Sequence, residues 1–149
     1  MEFEIPRAEF VFEARVECGS PQVIGQTPEG QSMMIPILGG AVEGPHLKGR
    51  VLPGGADWPV KRADNVNIVD AQYAIAAEDG TVIRIRNRGL AVMESDGDSG
   101  RVPRYIRTVP QFIAPEGSHS WLNKAIFVGT LDVNPKQGSY VTVRVFKVV

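Results

Sequence analysis

Glycine and proline occur so regularly along this chain that few stretches could hold three uninterrupted helical turns. The 16 glycines and 11 prolines make 27 of the 149 residues. Between them, apolar and polar residues alternate, which is the period of a strand with one buried face. In EFVFEARVEC, residues 9–18, one face carries Phe10, Phe12, Ala14, Val16 and Cys18. The pattern therefore predicts an all-β protein.

The remaining strands are predicted from the same alternation and from the turns between them. They are residues 31–38, 45–52, 66–77, 81–89, 104–113, 121–132 and 139–149. Asp79-Gly80 predicts a hairpin turn, residues 134–138 a hairpin loop, and residues 94–103 a solvated loop. Strands with short turns and no helix between them favour one antiparallel β-barrel of about eight to ten strands, spanning 1–149. A barrel of this size can enclose one small ligand.

Charge and cysteine content narrow the class of protein. The 16 basic and 17 acidic residues give a net charge of −1 without a basic block, so we expect no nucleic-acid partner. The amino terminus lacks the basic and apolar regions of a signal peptide, and no apolar run is long enough to span a membrane. Cys18 is the only cysteine, and the two histidines, His46 and His119, form no zinc motif. We expect a cytoplasmic protein with no membrane contact, no metal and no cofactor.

A distinctive motif runs through the middle of the chain. Gly39-Gly40 and Gly44-Pro45 precede G-x-V-x-P-G-G-x-D-W at residues 49–58, and Asp70-x-x-Tyr73 follows. In this order the chain resembles the UPF0311 / DUF3237 family over roughly residues 9–148. The resemblance implies a small β-barrel without an assigned function and carries over no catalytic residue. Asp64-Asn65 stands where family members often have Asp-Gly, and asparagine tolerates the positive φ of such a turn.

The segment GGADW, residues 54–58, is the first candidate site. Its glycines allow a ligand or strand to approach the main chain. Asp57 offers a base, and Trp58 offers an apolar face with one N–H donor. The alternative is a turn in which Asp57 bonds local amides and Trp58 closes the barrel end. We assign structural roles to Gly39, Gly40, Gly54 and Gly55.

A second candidate lies across the predicted hairpin at residues 78–80. Asp70 shares a face with Gln72, and Arg84, Arg86 and Arg88 share a face on the returning strand. Pairing could place Asp70 beside these arginines, which suit a carboxylate ligand. The alternative is a row of solvent-facing ion pairs.

The third candidate is an aromatic-lined pocket formed by Trp58, Tyr73, Tyr105 and Trp121, with core filling as its alternative. In total we predict catalytic roles for Asp57, Asp70 and Tyr73. We predict ligand contacts for Trp58, Arg84, Arg86, Tyr105, Arg107, Trp121 and Asn123.

Three functions stay open from the sequence. The first is a small-molecule-binding barrel that acts as a cofactor-free lyase, isomerase or cyclase on an aromatic or carboxylic-acid substrate. The second is a ligand carrier without chemistry. The third is a structural assembly unit, and in each case we expect a homodimer or higher homo-oligomer.

Overall fold

The computed structural model describes residues 1–95, 100–133 and 139–149. Within these residues, eleven strands form one antiparallel sheet. The strands are β1 Ala8–Cys18, β2 Gln22–Thr27, β3 Gly30–Glu43, β4 Gly49–Val51, β5 Gly55–Asp57, β6 Val60–Lys61, β7 Val66–Ala77, β8 Val82–Ser95, β9 Arg101–Ile113, β10 Phe127–Asp132 and β11 Tyr140–Val148. A short 3-10 helix, Ser120–Lys124, precedes β10.

The sheet closes on itself. Its order is β1-β11-β10-β9-β8-β7-β4-β3-β2, and β1 also pairs with β3. The short strands β4, β5 and β6 follow one another along the gap between β3 and β7, so together they act as one interrupted barrel strand. The result is an eight-strand antiparallel barrel, with β2 added beside β3. The predicted fold class is confirmed.

The observed elements differ from the predicted strands mainly where an element has only a few residues. The first residues of the predicted strand 121–132 form the 3-10 helix instead of a strand. A helix of five residues is too short to show a period in the sequence. The predicted strand 45–52 shrinks to β4, and β2 was missed. Of the predicted loop 94–103, residues 94–95 belong to β8 and residues 101–103 belong to β9, whereas residues 96–99 lie outside the described residues. The predicted loop 134–138 lies outside the described residues.

A β-bulge changes which side chains of β1 face inward. The register with β11 shifts between Phe10 and Phe12. As a result Val11 and Phe12 are both buried, whereas Phe10 is 40% exposed. The simple alternation assigned Phe10 to the buried face, and the extra residue of the bulge explains the difference.

One end of the barrel is packed with aromatic side chains. Phe112 lies edge-on to Phe12 and Phe127, with ring centroids 6.0 and 4.9 Å apart. The 3-10 helix covers this end and buries Leu122. Asn123 anchors the helix to β9 because its side chain accepts from the Ala114 N–H and donates to the Ala114 carbonyl, both at 2.8 Å.

A polar contact holds the covering loop against the β7–β8 turn. Nε2 of His119 lies 2.9 Å from Oδ2 of Asp79, and Oδ1 of Asp79 accepts from the Thr81 N–H. These hydrogen bonds, first those from Thr81 and then that from His119, lower the pKa of Asp79 to about 2. The turn and the closed end are therefore joined. Across the described ranges, no helix has the length and apolarity needed to cross a membrane.

Candidate functional site

The end of the barrel opposite the aromatic cluster contains a cavity of about 440 Å³. Most of its wall is apolar, and its polar members come from five different strands. The inward polar and ionisable side chains of the wall are Cys18, Asp57, Asn67, Tyr73 and Asn87, with Arg101 at the mouth. A concave, mostly apolar cavity with a few convergent polar groups is the usual form of a small-molecule site.

Strand register brings three of these side chains together. Asp57 pairs with Ala71, and Ala71 pairs with Asn87, so the carboxylate and the amide flank a small side chain. Tyr73 lies two residues beyond Ala71 on the same face of β7, toward the closed end. Adjacent strands are about 4.8 Å apart, so the Asp57 and Asn87 backbones are about 10 Å apart. The methyl group of Ala71 leaves the space between them to the cavity.

Asp57 sits where the strand formed by β4, β5 and β6 is interrupted. Its Oδ1 accepts a hydrogen bond from the Asp70 N–H at 3.2 Å, in place of a main-chain acceptor. Burial raises the pKa of the Asp57 carboxyl, against the lowering effect of hydrogen bonds from the Asp70 and Trp58 amides, and the Asp70 charge raises it further. The carboxyl group is therefore a stronger base than an exposed aspartate.

Tyr73 carries a buried hydroxyl. The side chain is 7% exposed, and its hydroxyl has no hydrogen-bond partner among the described residues. Burial raises the pKa of Tyr73 well above its usual value, and Cys18 and Asp57 add to the increase. The phenol therefore stays protonated and is available as a hydrogen-bond donor.

Gly55 makes room for Tyr73. A Cβ at residue 55 would lie 2.5 Å from both the Gln72 carbonyl oxygen and the Tyr73 Cβ. A glycine is therefore required for β5 to pair closely with β7 at this level. Gly54, at the preceding turn, has a φ of 105°, and Gly39 and Gly40 have φ values of 153° and 145°.

Three further side chains present polar atoms without partners among the described residues. The atoms are Oδ1 of Asn67, Oδ1 of Asn87 and Oγ1 of Thr108. Asn87 and Thr108 are each 1% exposed. A buried polar group without a partner costs about 1–3 kcal/mol, so the two asparagines, which line the cavity, favour a ligand or water there.

Cys18 and Arg101 complete the wall nearer the mouth. Burial raises the pKa of the Cys18 thiol, and the charge of Asp57 contributes, so the thiol is a weak nucleophile at neutral pH. Arg101 donates a hydrogen bond to the Asn65 side chain. Asn65 has a φ of 66°, as the Asp64-Asn65 turn predicts.

The second predicted site lies outside the barrel. Arg86 donates two hydrogen bonds of 3.1 Å to the Asp70 carboxylate. Arg84 and Arg86 line a second cavity of about 860 Å³ together with Tyr73 and Asn123, and of these four residues Tyr73 alone also lines the cavity that Asp57 faces. The structure therefore separates Asp70, Arg84 and Arg86 from Asp57, and the ion pair matches the solvent-facing alternative.

The four predicted aromatic residues do not share one pocket. Tyr73 faces the cavity, whereas Trp58 and Tyr105 are 45% and 49% exposed. Trp121 packs at the closed end, with its ring centroid 6.0 Å from that of Phe127. Arg107 lies on the outer face, with its guanidinium 5.3 Å from the centre of the Tyr105 ring. Asn123 makes the helix-anchoring bonds described above.

The histidines are both remote from the cavity. His46 lies beside Trp121, with ring centroids 6.2 Å apart, and His119 contacts Asp79. In the part of the chain that the structure describes, no three His, Cys, Asp or Glu side chains cluster as a metal site would require.

Sequence reasoning missed Asn67, Asn87 and Thr108 as members of the barrel interior, and it placed Cys18 on the buried face of its strand without assigning it to the site. A signal was present for one of them. In VIRIRNRG, Asn87 falls in phase with the buried Ile83 and Ile85. An amide at a core position of an otherwise apolar face indicates a polar interior.

The fold and the cavity define a class: a closed antiparallel barrel that is packed at one end and hollow at the other. The chain belongs to the family described as protein of unknown function (DUF3237), whose model matches residues 6–148. A UPF0311 protein of Clostridium acetobutylicum is 34% identical over 129 residues, which cover 80% of this chain and 82% of the relative. The crystal structure of a conserved protein of unknown function from Rhodopseudomonas palustris superposes with a TM-score of 0.86 at 28% identity, covering 99% of this chain and 100% of the other.

A more distant relative is an enzyme. A hydroalkoxylation enzyme of Penicillium herquei, phnH, is 26% identical over 125 residues, which cover 84% of this chain and 74% of that protein. The homo-oligomer, the absence of a nucleic-acid partner and the cytoplasmic location stay predictions.

Proposed function

We propose that this protein is an enzyme that binds a small aromatic molecule inside the barrel and transfers a proton with its own side chains. One observation carries the proposal: Asp57, whose carboxyl pKa is raised, and Tyr73, whose buried hydroxyl is unpartnered among the described residues, line the same cavity. Proton-transfer enzymes use carboxyl groups whose pKa is raised in this way.

The roles follow from the position of each group. Asp57 takes a proton from a substrate hydroxyl, and the hydroxyl oxygen then bonds to the far carbon of a C=C that is conjugated with a carbonyl group. Tyr73 donates a hydrogen bond to the carbonyl oxygen, on which negative charge develops as the C–O bond forms. Asp57 returns the proton to the other alkene carbon, so atoms and charge balance without an oxidant or reductant. The same two residues can carry out the reverse elimination or an isomerisation.

The enzyme relative supports this reaction class. Hydroalkoxylation is the addition of an O–H group across a carbon–carbon double bond, and it needs a proton to be removed from oxygen and delivered to carbon. The name of the Penicillium herquei relative places that protein in this reaction class. The apolar cavity and the Asp57–Tyr73 arrangement are suited to the same kind of proton transfer.

The test uses deuterium, because an internal addition or isomerisation leaves mass unchanged in ordinary water. Hydroxylated aromatic compounds with a C=C conjugated to a carbonyl group are incubated with the protein in D2O, and products are analysed by mass spectrometry. We expect a new isomer with deuterium on carbon, and we expect Asp57→Asn to abolish its formation. Ligand recovered without deuterium by the wild-type protein would show a carrier instead.

Asp70→Asn is the matched control for the carboxylate. Asp70 faces outward, and its charge raises the pKa of Asp57, so removing that charge lowers the pKa. We expect turnover to persist in Asp70→Asn, with the acidic limb of its pH profile moved to lower pH. Loss of turnover in Asp70→Asn alone would assign the chemistry to the outer face.

A further inference from the structure

The position of Asn87 restricts the partners that its amide can have. Its neighbours across the sheet are Ala71 on β7 and Pro110 on β9. Neither side chain has a hydrogen-bond donor, and proline has no N–H. Asn87 as a whole is 1% exposed, so bulk water does not hydrogen-bond to its unpartnered Oδ1. The cavity is the side from which a ligand or a bound water supplies the missing donor.

Asn67 repeats this arrangement nearer the mouth. It pairs with Ala91, and its Oδ1 also has no partner among the described residues. Both asparagine side chains line the cavity. An amide oxygen is an acceptor only, so each of these atoms pairs with an O–H or N–H group, which a ligand hydroxyl or a bound water supplies.

The charge of the wall restricts the ligand further. Among the described residues that line the cavity, the charged side chains are Asp57 and Arg101. Arg101 is exposed at the start of β9, and the wall around Asp57 is otherwise neutral. A ligand carboxylate at the level of Asp57 would meet a like charge without a cation.

From these contacts we infer that the ligand is an uncharged aromatic compound with at least two hydroxyl groups, the second of which is read by Asn87. The inference rests on the proposed function in placing the first hydroxyl at Asp57. Asn87 is a specificity-determining residue in this arrangement, because a ligand without the second hydroxyl leaves the amide oxygen unpaired. This uncharged ligand differs from the carboxylic-acid substrate that the arginines, which face outward, suggested.

Three naphthalenes of similar shape test the inference by calorimetry at neutral pH. They are the naphthalenediol with one hydroxyl on each ring, naphthol and naphthoate. We expect the diol to bind about fivefold or more tightly than naphthol, the low end of the cost of an unpaired buried polar group. We expect naphthoate to bind most weakly. A diol that binds no better than naphthol, or naphthoate that binds as tightly as the diol, would overturn the inference.

Two variants assign the effect to Asn87. In Asn87→Leu the diol should lose its advantage over naphthol, because the acceptor is gone and the volume is kept. Gln72→Leu removes an amide from the outer face of β7 and should keep the preference. Preference retained by Asn87→Leu overturns the assignment. The wild-type comparison needs no variant, so it decides the ligand class even if Asn87→Leu does not fold.

Binding and chemistry fail separately in this design. Asp57→Asn keeps an acceptor oxygen, so we expect it to keep the preference for the diol while it loses deuterium incorporation. A wild-type protein that prefers the diol but incorporates no deuterium supports the inference and rejects the proposed enzyme. A wild-type protein that incorporates deuterium without preferring the diol supports the proposed enzyme and rejects the inference about the ligand.

Discussion

Asp57 is a residue whose position costs stability. It is held in the wall of an apolar cavity, and burial raises the pKa of its carboxyl above the ordinary value of 3.8. The unfolded chain therefore releases this proton at lower pH than the folded chain. The protonated carboxyl therefore favours the folded protein at a pH below its pKa in the unfolded chain. That contribution to stability is lost as the pH rises through the pKa of Asp57 in the folded protein. Such a cost is common where a residue serves function and not folding.

This sign predicts the stability of Asp57→Asn. Asparagine keeps an oxygen that can accept from the Asp70 N–H but has no proton to lose. The variant should unfold at a higher temperature than the wild-type protein at about pH 7, and the difference should shrink toward about pH 4. Thermal unfolding across this range measures it. A variant that is less stable at neutral pH would mean that the carboxylate charge has a stabilising partner.

Tyr73→Phe separates stability from turnover in a second way. The hydroxyl has no partner among the described residues, so its removal relieves a buried polar group. We expect the variant to be as stable as the wild-type protein or more stable. Turnover should fall about 100-fold or more, the usual effect of losing a donor to a developing oxyanion. Unfolding temperature and initial rate test the two effects, and unchanged turnover would remove Tyr73 from the mechanism.

At the scale of the strands, Gly55 controls the placement of Asp57. A Cβ at residue 55 would overlap the main chain of β7, so Gly55→Ala should push β5 away from β7 and move Asp57 with it. We expect a loss of about 1–3 kcal/mol in unfolding free energy, together with loss of turnover. Gly19→Ala is the control, because its Cβ would meet Leu38 and Pro36 at an ordinary 3.4 Å. Equal stability of the two variants would contradict this role.

The strands differ in how well the sequence predicts them. β7 was predicted with its observed bounds because its twelve residues contain no glycine or proline and lie between the turns at Asp64-Asn65 and Asp79-Gly80. β4, β5 and β6 have three, three and two residues, which is too few for a period to show. Asp57 was nevertheless selected by its motif, although the cavity it faces is formed by residues distant in sequence.

The inward face of a strand is harder to predict than the strand itself. Alternation shows that Asp70 and Gln72 share one face of β7 and that Ala71 and Tyr73 share the other. Both faces carry apolar residues, so periodicity alone does not decide which face is inside. The structure buries Tyr73 and places Asp70 outside. That choice depends on closure of the whole barrel, which brings β1 to β3.

For the whole molecule, the barrel is divided between a packed end and a hollow end. Large side chains such as Phe12 and Phe127 fill the first, whereas small ones such as Ala71 and Ala91 surround part of the second. Stability and binding therefore depend on different halves of one interior. A change that fills the hollow half should affect them in opposite directions.

Ala91→Leu tests this division. Ala91 lines the cavity and is 6% exposed, so the added atoms enter empty space and bury apolar surface. We expect a gain of about 0.5–2 kcal/mol in unfolding free energy, as for other cavity-filling changes. Binding of the naphthalenediol should weaken, and with it the increase in unfolding temperature that saturating ligand gives the wild-type protein.

Ala41→Leu adds the same atoms on the exposed face of β3 and should change neither property. Denaturant unfolding and calorimetry compare the three proteins. If Ala91→Leu is destabilised and still binds the diol as tightly as the wild-type protein, the interior is already filled and the ligand lies elsewhere. If it is stabilised and no longer binds, the cavity is a site that the barrel maintains at the expense of its own packing.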